Sequence, residues 1–110
     1  MLTFFSLYDT LYLDKNLNRV VETLGMNETL KAISDPVRRD ILSLLRSGRK
    51  SAGEICEHFC LTGATVSYHL AKLKAADLIT EEKQKNFIFY TINTSVFEEV
   101  LTWIYALGGK

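Results

Sequence analysis

The sequence predicts a mainly α fold with a small β-hairpin, and three features carry that prediction. Apolar residues recur at spacings of three and four over most of the chain, the mark of amphipathic helices. After Asp77 the period shortens to two, through Leu78–Glu82 and again through Phe87–Ile92, the mark of paired strands. Between these regions, Ser51 to Ile79 reads as a short helix, a tight turn and a longer helix.

Composition sets the frame. At 110 residues, 47% hydrophobic and 24% charged, the chain can build one core without disulfide or metal staples. Formal net charge is zero, so affinity for nucleic acid would have to come from a local basic face. Cys56 and Cys60 lie one helical turn apart, where pairing would disturb their helix. A reduced, cytoplasmic setting follows from that reading. No apolar run approaches the roughly 18 residues of a membrane span. The first residues, MLTFFSLYDTLYLDK, lack a basic start and are interrupted by Asp9 and Asp14, which makes a poor signal peptide.

Taken in order, residues 1–25 read as an N-terminal helical extension. Phe4, Tyr8 and Leu11, then Leu13, Leu17, Val20, Val21 and Leu24, fall on a helical stripe that Gly25 ends. Two readings stay open: a native element that meets a partner chain, or an extension upstream of a start at Met26. Asn27 or Thr29 then caps a short helix through Leu30 and Ile33. Asp35 as N-cap with Pro36 at the first helical position starts the next, through Val37, Ile41, Leu42, Leu44 and Leu45 to Ser47-Gly48. Arg38, Arg39 and Arg46 fall off its apolar stripe and are expected to be mainly solvated.

Ser51, with Glu54 three residues on, has capping-box spacing. Ile55 and Phe59 face inward, Cys60-Leu61-Thr62 make the turn, and Thr62 caps the longer helix, 63–76. There Val66, Leu70 and Leu73 form the buried stripe, leaving Gly63, Ala64, Thr65, Ser67, Tyr68, His69 and Lys72 outward. Two helices joined this way are a helix-turn-helix, whose second helix enters the DNA major groove. The strands that follow meet at Lys83-Gln84-Lys85-Asn86, a basic-tipped wing, with Ile88, Tyr90 and Ile92 expected on the core. Asn93 or Ser95 starts the last helix. It carries Val96, Phe97, Val100, Leu101, Trp103, Ile104, Tyr105 and Leu107, apolar nearly all round, and so calls for a second chain to cover it.

KAISDPVRRDILSLL at 31–45, then GEICEHFCLTGATVSYHLAKLKAADLI, and a wing ending FIFYTIN resemble the ArsR/SmtB winged helix-turn-helix transcriptional regulators. The match is nearest to their SdpR-type autorepressor branch. It runs from about Met26 to about Leu107, and Asp35-Pro36-x-Arg38-Arg39 with Ser67-x-His69-Leu70 are its distinguishing pieces. The resemblance implies a homodimeric repressor, released by an effector, with residues 26–110 as its DNA-binding and dimerisation domain. It implies an inverted-repeat operator of double-stranded DNA, read by Thr62, Gly63, Ala64, Thr65, Ser67, Tyr68, His69 and Lys72. Lys83, Lys85 and Asn86 would meet phosphate or the minor groove from the wing. Pairing through the first and last helices would use Phe4, Tyr8, Leu11, Leu30, Phe97, Val100, Leu101 and Ile104. Many family wings have glycine where Lys85 stands, so Asn86 is expected to take the positive φ of the turn.

No metal or cofactor is expected. On a helix, Cys56 and Cys60 share a face while His58 points about 200° away, so the three cannot hold one ion. Thiolate sites of the family use a Cys-x-Cys pair where this chain has Ser51 and Gly53, and the last helix lacks the His and Asp of its other sites. A thiol- or metal-responsive sensor using Cys56 and Cys60 is the alternative within the family. A winged-helix module that binds protein instead of DNA is another, kept open by the neutral charge. Residues 1–25 could also dock a regulatory protein partner. An enzyme is not expected: His58 and His69 have no sequence-evident nucleophile-base arrangement, and there is no glycine-rich phosphate loop.

Overall fold

The computed structural model describes residues 26–109, and side chains through 108. The boundary at 25, the extension before it, and Phe4, Tyr8 and Leu11 lie outside the described residues. Helix α1 covers residues 26–33, with Asn27 and Thr29 inside it instead of at its start. Asp35 then takes extended backbone (φ −87°, ψ 128°) and its Oδ1 accepts from the N–H of Val37 at 2.8 Å and of Arg38 at 3.1 Å. Those two donors have no partner within a helix, so the cap fixes where α2 (Pro36–Leu45) begins. This helix buries Ile41, Leu42 and Leu45.

Gly48, at φ +138°, turns the chain into β1 (Lys50–Ser51), a strand absent from the sequence expectation. Two residues are too few for a period to show. Helix α3 (Ala52–Phe59) starts with the expected capping box: Glu54 N–H donates to Ser51 Oγ, and Ser51 N–H donates to the Glu54 carboxylate. It ends at Cys60 in left-handed backbone (φ 56°), whose N–H, like that of Leu61, returns to the Cys56 carbonyl. Thr62 caps α4 (Gly63–Ala75) by accepting from Thr65 N–H at 3.2 Å. Ala76 is its C-cap, and Asp77, also left-handed at φ 60°, redirects the chain into the hairpin.

Strands β2 (Ile79–Gln84) and β3 (Phe87–Ile92) pair antiparallel from Ile79↔Ile92 to Gln84↔Phe87, leaving Lys85-Asn86 as the turn. β1 lies on the other side of β3, with Lys50 opposite Tyr90, so the sheet has three strands in the order β1-β3-β2. Lys85 takes the positive φ, 56°, and not Asn86 as expected. Ile88 also departs from expectation. It pairs with Lys83 beyond the body of the domain and is 41% exposed, while Tyr90 and Ile92 pack on the core.

Helix α5 (Thr94–Gly109) begins one residue after Asn93, whose side-chain amide donates to the Asp77 carbonyl at 3.0 Å. The core lies between α2, α3, α4 and the base of the hairpin. Ile41, Ile55, Val66, Leu73, Leu78 and Ile79 are its most enclosed side chains, with Val96 and Phe97 of α5 partly buried against it.

Candidate nucleic-acid interface

The stripe Val66, Leu70, Leu73 turns α4 into a helix with one committed face, and what lies opposite is presented outward. Thr62, Gly63, Ala64, Ser67, Tyr68 and Lys72 are exposed, and Thr65 is half-buried. The leading end carries only small side chains, and a Cβ added to Gly63 would meet nothing within 4 Å. That end is therefore free to approach another surface closely. Tyr68 is 57% exposed, with the Lys72 ammonium 5.5 Å from the centre of its ring. Hydroxyls, a phenol and an ammonium in one row supply donors and acceptors of the kind that base edges and phosphates accept.

His69 is the exception among the expected groove-facing residues. It is 8% exposed and turns inward, its ring edge-on to Tyr68 at 5.3 Å. Position 69 stands at the edge of the stripe, beside 66 and 73 on the helical surface, so it joins the buried face once α2 packs over it. Its partner there is Arg38, expected to be solvated but half-buried, whose Nη1 lies 3.3 Å from His69 Nδ1. Arg39 is likewise tied down, donating to the Ile33 carbonyl at 2.9 Å.

The wing places Lys83, Lys85 and Asn86 in solvent at the end of the sheet. Beside them stands Arg49, which sequence reasoning missed. It stacks on Phe89 at 4.4 Å, donates to Gln84 at 3.0 Å and pairs with Glu82 at 3.5 Å. Only the pairing of β1 with β3 brings it there, and no local pattern signals that pairing. On the other edge Lys74 is held by Glu81 at 2.9 Å, and among the described residues Lys72, Lys83 and Lys85 are the cations on this side with no carboxylate partner.

Among the described residues no three His, Cys, Asp or Glu side chains are grouped so as to hold a metal ion. Cys56 and Cys60 are free thiols; Cys56 packs against the core and Cys60 is exposed. No described helix is long and apolar enough to cross a membrane.

Helix α5 leaves Leu101, Trp103, Ile104, Tyr105 and Leu107 between 43% and 76% exposed. Leu30 and Phe97 are half-buried. Val100, expected at a dimer interface, is 6% exposed and points into its own chain. It faces a groove of about 890 Å3 bordered by Met26 and Thr29 of α1, Ala76, and Trp103 of α5.

A capped helix-turn-helix carrying a lysine-tipped hairpin, closed by a flanking helix, defines the class: a winged helix-turn-helix. A family model described as a helix-turn-helix domain matches residues 33–82. The transcriptional repressor SdpR of Bacillus subtilis (strain 168) is 44% identical over 79 residues, spanning 72% of this chain and 88% of the relative. An ArsR-like transcriptional regulator from Rhodococcus sp. RHA1 superposes with a TM-score of 0.74 at 21% identity, over 79% of this chain and 82% of that one. A homodimeric winged helix-turn-helix DNA-binding domain from Mycobacterium bovis, of a possible ArsR-family regulator, superposes at 0.69 with 22% identity, over 83% and 86%. The chain belongs to the ArsR family of winged helix-turn-helix transcriptional regulators, near SdpR.

Proposed function

We propose that this DNA-binding repressor of the ArsR family acts as a homodimer on an inverted-repeat operator. Helix α4 lies in the major groove of each half-site, presenting Thr62, Gly63, Ala64, Thr65, Ser67, Tyr68 and Lys72 to bases and phosphates. Lys83, Lys85 and Asn86 meet the backbone or minor groove alongside, with Arg49 behind them. The two helices are held about one helical turn, roughly 34 Å, apart. Bound there, the protein occludes the promoter, its own among the candidates.

The observation that carries this reading is the division of α4: one face is locked in the core, and the other is small at its leading end and polar along its length. The homodimeric M. bovis domain supports the dimer, as do the uncovered apolar residues of α5. The test is fluorescence anisotropy on duplex DNA from upstream of the gene, with wild type and a Ser67→Ala, Lys72→Ala double variant. Affinity is expected to fall at least tenfold in the variant with its mass in solution unchanged. Wild-type affinity should also drop steeply with added salt. Equal affinity in both would remove α4 from the reading role. No binding at low salt would favour a protein-binding module, the reading that zero net charge keeps open.

A further inference from the structure

Arg38 stands where three helices meet. Its Nε donates to the Ala32 carbonyl at 2.9 Å, one of the last carbonyls of α1, and its Nη2 lies 3.5 Å from the Lys31 carbonyl, which also accepts from Ser34. Its backbone N–H caps onto Asp35, so its own position is set by the start of α2. Its Nη1 then reaches His69 Nδ1 at 3.3 Å, in the middle of α4. A guanidinium carries only donors, so Nδ1 must accept and the ring proton must sit on Nε2. The imidazole is enclosed, and its Nδ1 is held by a cation that is itself fastened to α1 and α2.

We propose that His69 is a positioning residue for DNA reading. Through Arg38 it fixes the rotation and depth of α4 against α1 and α2, and so sets where Ser67, Tyr68 and Lys72 stand relative to the face formed by α1 and α5. The inference rests on α4 being the reading helix, and it takes His69 out of the base-contacting set. The two roles make opposite demands on the ring: positioning uses Nδ1, whereas reaching outward to DNA would use Nε2.

Asparagine places its amide oxygen close to where Nδ1 sits, and glutamine places its polar end close to where Nε2 sits. The experiment is therefore anisotropy on the upstream duplex with His69→Asn, His69→Gln, His69→Ala and Arg38→Gln. Asn is expected to hold affinity within about threefold of wild type, while Gln and Ala lose at least tenfold. Arg38→Gln should lose as much as His69→Ala, and the double variant no more than either alone, as for two residues in one contact. Retention by Gln with loss by Asn would overturn the proposal in favour of direct reading. Equal behaviour of Asn and Gln would also overturn it. Should a variant fail to fold, 15N NMR of wild-type imidazoles near neutral pH decides: His69 must show an unprotonated Nδ1 and a protonated Nε2, and the reverse tautomer overturns the proposal. Absence of wild-type DNA binding would instead strike the reading of α4, leaving the tautomer result to stand on its own.

Discussion

Thr29 donates its hydroxyl to the Ala76 carbonyl at 3.3 Å, across a span in which both residues are 5% exposed. Ala76 is the C-cap of α4, so this bond grips the far end of that helix. The Arg38–His69 contact grips its middle. Helix α1 is thus attached to α4 at two heights, directly by Thr29 and through Arg38 at its C-terminus. Whatever seats α1 also seats the residues that α4 presents.

Replacing Thr29 with Val keeps the shape and removes the donor, leaving a buried carbonyl short of a partner. Losing one such bond costs about 1–2 kcal/mol. Urea denaturation should show the midpoint of Thr29→Val lowered and that of Thr29→Ser close to wild type. Identical midpoints for all three would mean the hydroxyl contributes nothing.

Asp35 couples stability to acid. The N–H of Arg38 donating to its carboxylate, with help from Val37 N–H and the nearby Arg38 charge, holds its pKa below the ordinary 3.8. A carboxylate with a depressed folded-state pKa contributes stability that is present above its unfolded value and lost as pH falls through the folded one. Stability from this cap is therefore intact at neutral pH and fades below about pH 4. Asp35→Ala should cost about 1 kcal/mol at pH 7, the usual worth of an N-cap. The gap between variant and wild type should narrow as unfolding is measured at progressively lower pH; a gap that stays constant to pH 2 would refute the coupling.

The caps at Asp35 and Ser51 were legible in the sequence because their chemistry closes within three residues, and periodicity alone placed Ile41, Val66 and Leu73 inside. The outward row of α4 followed from the same periodicity. What escaped detection depends on distant partners. β1 exists because Lys50 meets Tyr90, and His69 turns inward because Arg38 reaches it from 31 residues away. A helical wheel puts His69 at the edge of the buried stripe; whether an edge position is wet or dry is decided by what packs over it. Lys85 was missed for a different reason. The turn needs one residue at positive φ, and asparagine tolerates it better than lysine, yet the register from Gln84↔Phe87 assigns it to Lys85.

That assignment makes the wing a place where folding and binding pull apart. Lys85→Gly relieves a left-handed backbone at φ 56° and should stabilise the protein by about 0.5–1 kcal/mol. The same change removes an exposed cation from the wing tip. Weaker DNA binding should follow, with the slope of log affinity against log salt reduced by about one. Thermal unfolding and salt-dependent anisotropy on one preparation test both signs together. A variant that melts lower, or binds with an unchanged slope, would contradict this account of the tip.

The apolar side of α5 yields the last prediction. Leu101 is 64% exposed and Ile104 49%, three residues apart and so on one face of the helix, with neither serving the core of its own chain. Val100, by contrast, is enclosed, so its substitution would mix folding with assembly. A charge at Leu101 and Ile104 separates the two effects, because the side chains already stand in solvent when the chain is alone. Leu101→Glu with Ile104→Glu should therefore leave the fold intact by circular dichroism while converting the proposed dimer to a monomer by light scattering. The monomer should still engage one half-site, since α4 and the wing are complete within a chain. It should lose the tight binding that two linked half-sites confer, with affinity falling at least a hundredfold on the full operator and little on a single half-site. A variant that remains dimeric would move the interface elsewhere on the surface. One that turns monomeric yet binds the full operator unchanged would separate dimerisation from operator recognition.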